Sequence, residues 1–236
     1  MDYLKHISTQ VTTGYTFVIH HCQQAGVGNA RNQGVALASR QYIAFLDDDD
    51  FISPNYLSSL YTFAKPTTLV LSQLQNVETI EQMTSPGVGR SLLPQWLYQI
   101  IVKSRVLTMN ACKLIPRQVL VNFKFDPTLK SSEDMVLFSA LLISCRIKVK
   151  IVPQQQCAIY YRVLRHDSVS WQPISYDFNV RQRLAVIRAI YRHIKPKSQL
   201  FHPRNLFFFL TRIIGEIAYS VRIIIFNLSK QRPHGK

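Results

Sequence analysis

Gly26-Val-Gly-Asn-Ala-Arg-Asn-Gln-Gly34 leads through Tyr42-Ile-Ala-Phe-Leu46 into Asp47-Asp-Asp-Asp50. The order reads as a small-residue turn, a short helix, a buried strand, and four carboxylates where the strand ends. Tyr42 to Leu46 is apolar and β-prone and stops abruptly at charge, as a strand in the middle of a sheet does. Open α/β sheets present ligands to the carboxyl ends of their strands, so the acidic cluster falls where a substrate is expected. Ser53-Pro54 predicts an N-cap and a proline at the first helical position of a helix over Asn55 to Ala64. Carboxylates are hard ligands, and the Asp47-x-Asp49 spacing suits Mg²⁺ or Mn²⁺ that also holds a diphosphate. The acidic run alone is equally compatible with a solvated loop. An EF-hand is excluded, because the glycine and closing glutamate of that motif are missing at the required offsets.

Bulk properties narrow the field further. The chain has 236 residues, 47% hydrophobic and 17% charged, which is a globular composition and not a disordered one. One domain with an appended segment is expected from that length. The net charge of +15 is uneven: residues 1–150 hold 14 Lys/Arg against 10 Asp/Glu, and residues 151–236 hold 14 against 3. A basic tail of this kind meets nucleic acid or anionic lipid, and composition does not choose between them. Cys22, Cys112, Cys145 and Cys157 are scattered without a C-x-x-C or zinc spacing, so they read as reduced and structural. Residues 1–20 lack a basic start followed by an apolar core, so no secretory signal is expected and the default location is cytoplasmic.

The combined pattern of Gly26, Ala30, Arg31, Asn32 and Gly34, then Phe45-Leu46-Asp47, Asp49, Asp50 and Pro54, resembles the family 2 glycosyltransferases of the GT-A fold. In that family a G-x-x-x-A-R-N-x-G segment precedes a strand ending in D-x-D-D, with a proline and a helix close behind. The resemblance covers roughly residues 15–170. It implies an α/β, three-layer GT-A sandwich with a mixed central sheet. Family members begin with two strands that build most of the nucleoside pocket, and Tyr15 to His20 fits the third. The expectation is therefore an N-terminally truncated domain over 1–172, followed by a basic amphipathic helical tail over 173–236. His20 and His21 read as exposed residues more readily than as metal ligands.

Further along, a helix is expected over residues 1–14, strands over Thr67 to Val77, Leu107 to Ile115 and Ile147 to Val152, and helices near Leu97 to Val102 and after Pro116. Phe123-Lys-Phe-Asp-Pro-Thr-Leu-Lys-Ser-Ser-Glu133-Asp134 opens a second constellation, followed by an apolar helix from Met135 to Ile143. Locally, Ser131 or Ser132 caps that helix, and Glu133 and Asp134 suit the positive end of its dipole. The family carries an F-x-x-x-L…E-D segment here, and its aspartate is the general base of inverting transfer. The resemblance thus makes Asp134 the base and Glu133 its supporting neighbour. Ala158-Ile-Tyr-Tyr-Arg162 and Ser168-Val-Ser170 resemble a family ending, with His166 between them as a third metal ligand or an exposed loop histidine.

In the tail, Phe178 to Ile194 reads as an amphipathic helix broken by Pro196. Leu206 to Leu228 is very apolar but carries Arg212, Glu216 and Arg222, so its uncharged runs fall far short of the ~18 residues of a spanning helix. Two readings fit: a helix lying in an anionic membrane interface, and a helix packed on the domain or in a dimer.

The resemblance implies an inverting transferase that moves a sugar from a nucleotide-diphosphate donor to a glycan or lipid-linked glycan acceptor of the bacterial surface. Asp47, Asp49 and His166 would hold Mn²⁺ or Mg²⁺, and Arg31, Asn32, Asp47 and Asp48 would face the donor, with Asp50 in support. The location implied is cytoplasmic, peripheral on the inner face of the membrane. The alternative is a truncated remnant without catalysis, acting as a membrane-associated or interaction protein. Nucleic acid is not an expected partner, since no aromatic-interleaved recognition motif accompanies the basic residues.

Overall fold

In the computed structural model, which describes residue 16 and residues 18–79, 94–164 and 181–230, the fully buried run Thr68–Leu71 forms strand β3. Its four side chains find cover on both faces, which is what a continuous apolar run requires. β3 lies between an antiparallel neighbour, β5 (Lys113–Pro116), and a parallel one, β6 (Lys148–Ile151). β1 (Tyr42–Ile43) pairs antiparallel with the far side of β5, giving a sheet of order β1-β5-β3-β6. A second sheet has β7 (Ile159–Val163) at its centre, antiparallel to β2 (Phe51–Ile52) and parallel to β4 (Gln73–Val77).

The Thr67 to Val77 stretch, expected as one strand, is two. Ser72 breaks it: its N–H donates to Cys112 O (2.9 Å) in the first sheet, and the next N–H, of Gln73, donates to Ala158 O (3.2 Å) beside the second. Leu107 to Ile115 becomes a strand only from Lys113, because residues 107–112 bend, with Cys112 at φ 64°.

The helices are α1 (Val27–Leu37), α2 (Tyr56–Thr62), α3 (Gln95–Val106), α4 (Arg117–Leu120) and α5 (Glu133–Ser144), then α6 (Gln182–His193) and α7 (Pro203–Lys230). α5 is apolar on nearly every side because it is covered twice. Leu137, Phe138 and Leu141 join the sheet core with Leu69, Leu71 and Ile115. Val136, Ala140 and Ile143 meet Val186, Ile190 and Leu200 of the tail in a separate cluster. The tail is therefore seated on the domain through α5.

Three sequence expectations need correction. Tyr42 to Leu46 is not a central strand: only Tyr42 and Ile43 pair, among the described residues β5 is β1's only neighbour, and Leu46 is 53% exposed. Val18 to His20 carries no strand pairing, and Val18 and Ile19 are exposed; residues 1–15 and 17 lie outside the described set. Ser53 does not cap the following helix. Its hydroxyl donates to Cys157 O and accepts from Ile159 N–H (both 3.1 Å), stitching the loop to β7, and the helix starts at Tyr56.

Candidate active site

The approach to the acidic stretch begins at Gly26, whose φ of 120° lies where side chains are strained, so the turn into α1 requires glycine there. Gly28 serves close packing instead: a Cβ on it would meet the Pro127 Cα at 3.3 Å and Asp126 O at 3.4 Å. Gly34 meets neither need, since a Cβ there would touch nothing within 4 Å. α1 is fixed to the 125–127 loop by Asn32, whose Nδ2 donates to Phe125 O and whose Oδ1 accepts from Phe125 N–H, both at 2.8 Å. Asn32 thereby braces α1 on that loop through both of its polar atoms.

Anchored this way, α1 delivers Arg31 between the two acidic segments. Its guanidinium donates to Asp47 Oδ1 at 3.2 Å and to Glu133 Oε1 at 2.5 Å, and it lies 5.7 Å from the Phe125 ring centroid. Residues 31, 47 and 133 are far apart in the sequence, yet one side chain joins the end of the Tyr42 stretch to the first turn of α5. Arg31 thereby ties the two acidic segments together.

Asp47 to Asp50 form a tight turn closed by Asp50 N–H to Asp47 O (3.2 Å). Tyr160 of β7 supports it from below, its hydroxyl oxygen accepting from Asp47 N–H at 3.2 Å. Asp50 points back into the fold: Oδ1 accepts from Val163 N–H (3.0 Å), and burial first of all raises its pKa above the usual carboxylate value. Asp48 is exposed at the corner of the turn and Asp49 is partly covered.

Asp134 stands beside Glu133 on the first turn of α5. Its Oδ1 accepts from Met135 N–H (2.7 Å) and its Oδ2 from Asn110 N–H (3.0 Å). Its pKa is raised, by burial first and then by the Glu133 charge; the two N–H donors and the Lys113 ammonium work in the opposite direction. A carboxylate raised in this way is better matched to taking a proton near neutral pH than an ordinary one. Ser132 precedes the helix in the left-handed region (φ 63°) and makes no side-chain cap; its hydroxyl instead accepts from Arg183 Nη1 of α6 at 3.1 Å.

Lys113 and Tyr160 escaped the sequence reading. The only signal for Lys113 was a lone cation inside the apolar run LTMNACKLI. Tyr160 was merely part of a Tyr-Tyr-Arg strand. His166 lies outside the described residues. Among those described, no three His, Cys, Asp or Glu come together as a complete metal cage. Mg²⁺ needs only one or two protein carboxylates when water and phosphate oxygens supply the rest, so the hard oxygens of Asp47 and Asp49 on one turn fit such an ion. An open cleft of about 730 Å³ runs beside β1, lined by Val18, His20, Ala38 and Phe45, the last of these two residues short of Asp47.

Residues 2–91 match the family described as Glycosyl transferase family 2. The chain is 27% identical over 157 residues, 63% of its length, to the poly(ribitol-phosphate) beta-glucosyltransferase of Bacillus spizizenii. It is 27% identical over 199 residues, 73% of its length, to the succinoglycan biosynthesis protein ExoW of Rhizobium meliloti. It spans 23% and 60% of the lengths of these two relatives. In structure it is similar to S. aureus TarS 1-349, solved in complex with UDP-GlcNAc, with a TM-score of 0.58 at 17% identity over 91% of this chain and 60% of that one. The fold is the GT-A fold, and the match to glycosyltransferase family 2 runs over residues 2–91 of this chain.

Proposed function

We propose that the chain acts as an inverting, metal-dependent glycosyltransferase that moves a sugar from a nucleotide-diphosphate donor to a growing surface glycan at the inner face of a bacterial membrane. The observation that carries this reading is Arg31, which ties Asp47 at the acidic turn to Glu133 beside Asp134. A diphosphate-binding turn and a proton acceptor are thereby held around one space. The printed names of the relatives, a glucosyltransferase and a succinoglycan biosynthesis protein, support a surface-glycan acceptor.

In this mechanism the acceptor hydroxyl oxygen attacks the anomeric carbon from the side opposite the phosphate. The new C–O bond forms as the bond to the diphosphate oxygen breaks, and the hydroxyl proton passes to Asp134 Oδ. Arg31 keeps Glu133 and Asp47 in register, Tyr160 and Asp50 brace the turn, and Asn32 fixes the helix that carries Arg31. Asp47 and Asp49 would hold Mn²⁺ or Mg²⁺, which neutralises charge on the leaving diphosphate when bound. Asp48, exposed on the same turn, faces the donor side.

The test is turnover of UDP-sugars on glycan acceptors, read as UDP release. Asp134→Asn should reduce it by roughly 10²–10⁴-fold, the usual worth of a general base. Undiminished turnover in that variant sinks the base assignment. A second reading, a non-catalytic remnant that has lost donor binding and acts as a membrane-associated or interaction protein, is favoured by the outer edge of β1, which has no partner strand among the described residues. It predicts no Mn²⁺-dependent affinity for any sugar nucleotide.

A further inference from the structure

We propose that the outward face of α7, with the turn that precedes it, docks on an anionic lipid bilayer with the helix lying in the headgroup plane. This deepens the location given above but stands apart from the transfer reading. The other side of α7 is already in use: Phe208 and Phe209 pack on the cluster shared by α5 and α6, and Glu216 is buried in an ion pair with Arg183 (3.0 Å). Opposite them, Phe207, Leu210, Ile214, Ile217 and Val221 form one exposed stripe at alternating spacings of three and four, Phe207 at 71% and Ile214 at 63%. Phe201, just before the helix, is 76% exposed. No helix among the described residues is long and apolar enough to cross a membrane, so a stripe of this kind meets lipid from the side.

Charge selects the occupant. Residues 181–230 contain ten Lys/Arg and a single carboxylate, Glu216, which is spent inside. Arg192 at the end of α6, Lys195 in the turn and Arg204 in the first turn of α7 are exposed. Lys197 is held below the ordinary lysine range, by desolvation first and by the Lys195 charge second, a like-charge pair that an anionic headgroup relieves. A second copy of this face would set positive charge against positive charge. Nucleic acid would answer the charge and leave the Phe/Ile stripe in water. An anionic bilayer satisfies both, at roughly fivefold in partitioning for each basic residue near the surface.

The experiment is co-sedimentation of the full chain with phosphatidylcholine vesicles, with and without phosphatidylglycerol. Binding should require phosphatidylglycerol and weaken with salt. Phe207→Glu and Ile214→Glu should each lower partitioning by at least about tenfold, with unchanged thermal unfolding because both positions are exposed. Lys195→Gln should lower it roughly fivefold. Turnover on a soluble acceptor should be unaffected by Ile214→Glu, so failure of this inference and failure of the transfer reading give different results. The inference is overturned if the full chain ignores anionic vesicles. It is also overturned if Ile214→Glu converts a solution dimer to monomer without changing vesicle binding, or if RNA displaces the chain from vesicles and the two Glu variants bind lipid normally.

Discussion

Lys113 is wholly buried, and its ammonium donates to the carbonyls of Val106 (2.9 Å), Leu107 (3.1 Å) and Met109 while lying 3.8 Å from the Phe138 ring centroid. It thus closes the end of α3 and shapes the bend that points Asn110 N–H at Asp134. Desolvation brings its pKa down to about 7, with the Asp134 and Cys112 charges resisting. A lysine lowered on folding gives up its proton in the folded state first, so the unfolded chain binds more protons between about pH 7 and the ordinary lysine value of 10.5. Stability from this group therefore rises with pH across that window, with a slope approaching about 1.4 kcal/mol per pH unit. Urea unfolding of the parent and of Lys113→Met at several pH values should show a difference that climbs through the window; parallel curves would remove the buried-cation account. The same ammonium lowers the pKa of Asp134, so Lys113→Met should also move the acid limb of the transfer–pH profile to higher pH. An acid limb that stays put would mean that Lys113 acts on packing alone. At this scale the sequence singled out Arg31, Asp47 and Glu133 as members of contiguous patterns but not their pairing with one another. It was silent on Lys113 and Tyr160, whose roles arise only when residues 47, 113, 134 and 160 meet in space.

α1 is held to the domain by the two Asn32 bonds and by the backbone contact at Gly28, not by a broad apolar face, since only Gly28 and Val35 of the helix are buried. Asn32→Ala would strand the Phe125 N–H and carbonyl, and should cost about 1–3 kcal/mol in chemical unfolding. It should also depress turnover through Arg31, and full activity with normal stability would show that the brace is dispensable. The tail is joined by a different device: Arg183 links Glu216 of α7 to the Ser132 hydroxyl at the start of α5. Removing one member of a buried pair is far costlier than replacing both, so Glu216→Ala should lose about 3–5 kcal/mol, and Arg183→Met with Glu216→Leu should recover most of it. Equal losses in the single and double variants would show that the pair itself contributes little. The elements were legible where burial was two-sided, as in β3 and α5. β1 was over-read, because Ala44 to Leu46 are apolar yet continue past Ile43, where the ladder with β5 ends, and have no strand partner among the described residues. The division of Thr67 to Val77 was hidden because Ser72 is an ordinary strand residue until Cys112 and Ala158 pull its two sides into different sheets.

Across the whole molecule, the acidic turn and the basic tail divide the charge of the chain, and the turn's Asp47 is already partly neutralised by Arg31. That arrangement makes the turn a poor site for a bare cation and a better one for a cation that arrives with phosphate. Asp47 shares its charge with Arg31, Asp50 is committed to Val163 N–H, and the remaining shell of a hard divalent ion is most readily completed by diphosphate oxygens. Mn²⁺ alone should therefore leave the thermal midpoint nearly unchanged, and UDP alone should raise it little. The two together should raise it by roughly 5–10 °C at a hundredfold excess over Kd, because a ligand that binds only the folded chain stabilises it by about 2.7 kcal/mol at that excess. Asp49→Ala should abolish the joint effect while leaving the midpoint of the free chain within a degree or so, since an exposed or half-exposed acidic turn contributes little to folding. Equal stabilisation by Mn²⁺ with and without UDP would move the ion away from the diphosphate, and a joint effect that survives Asp49→Ala would move it away from this turn.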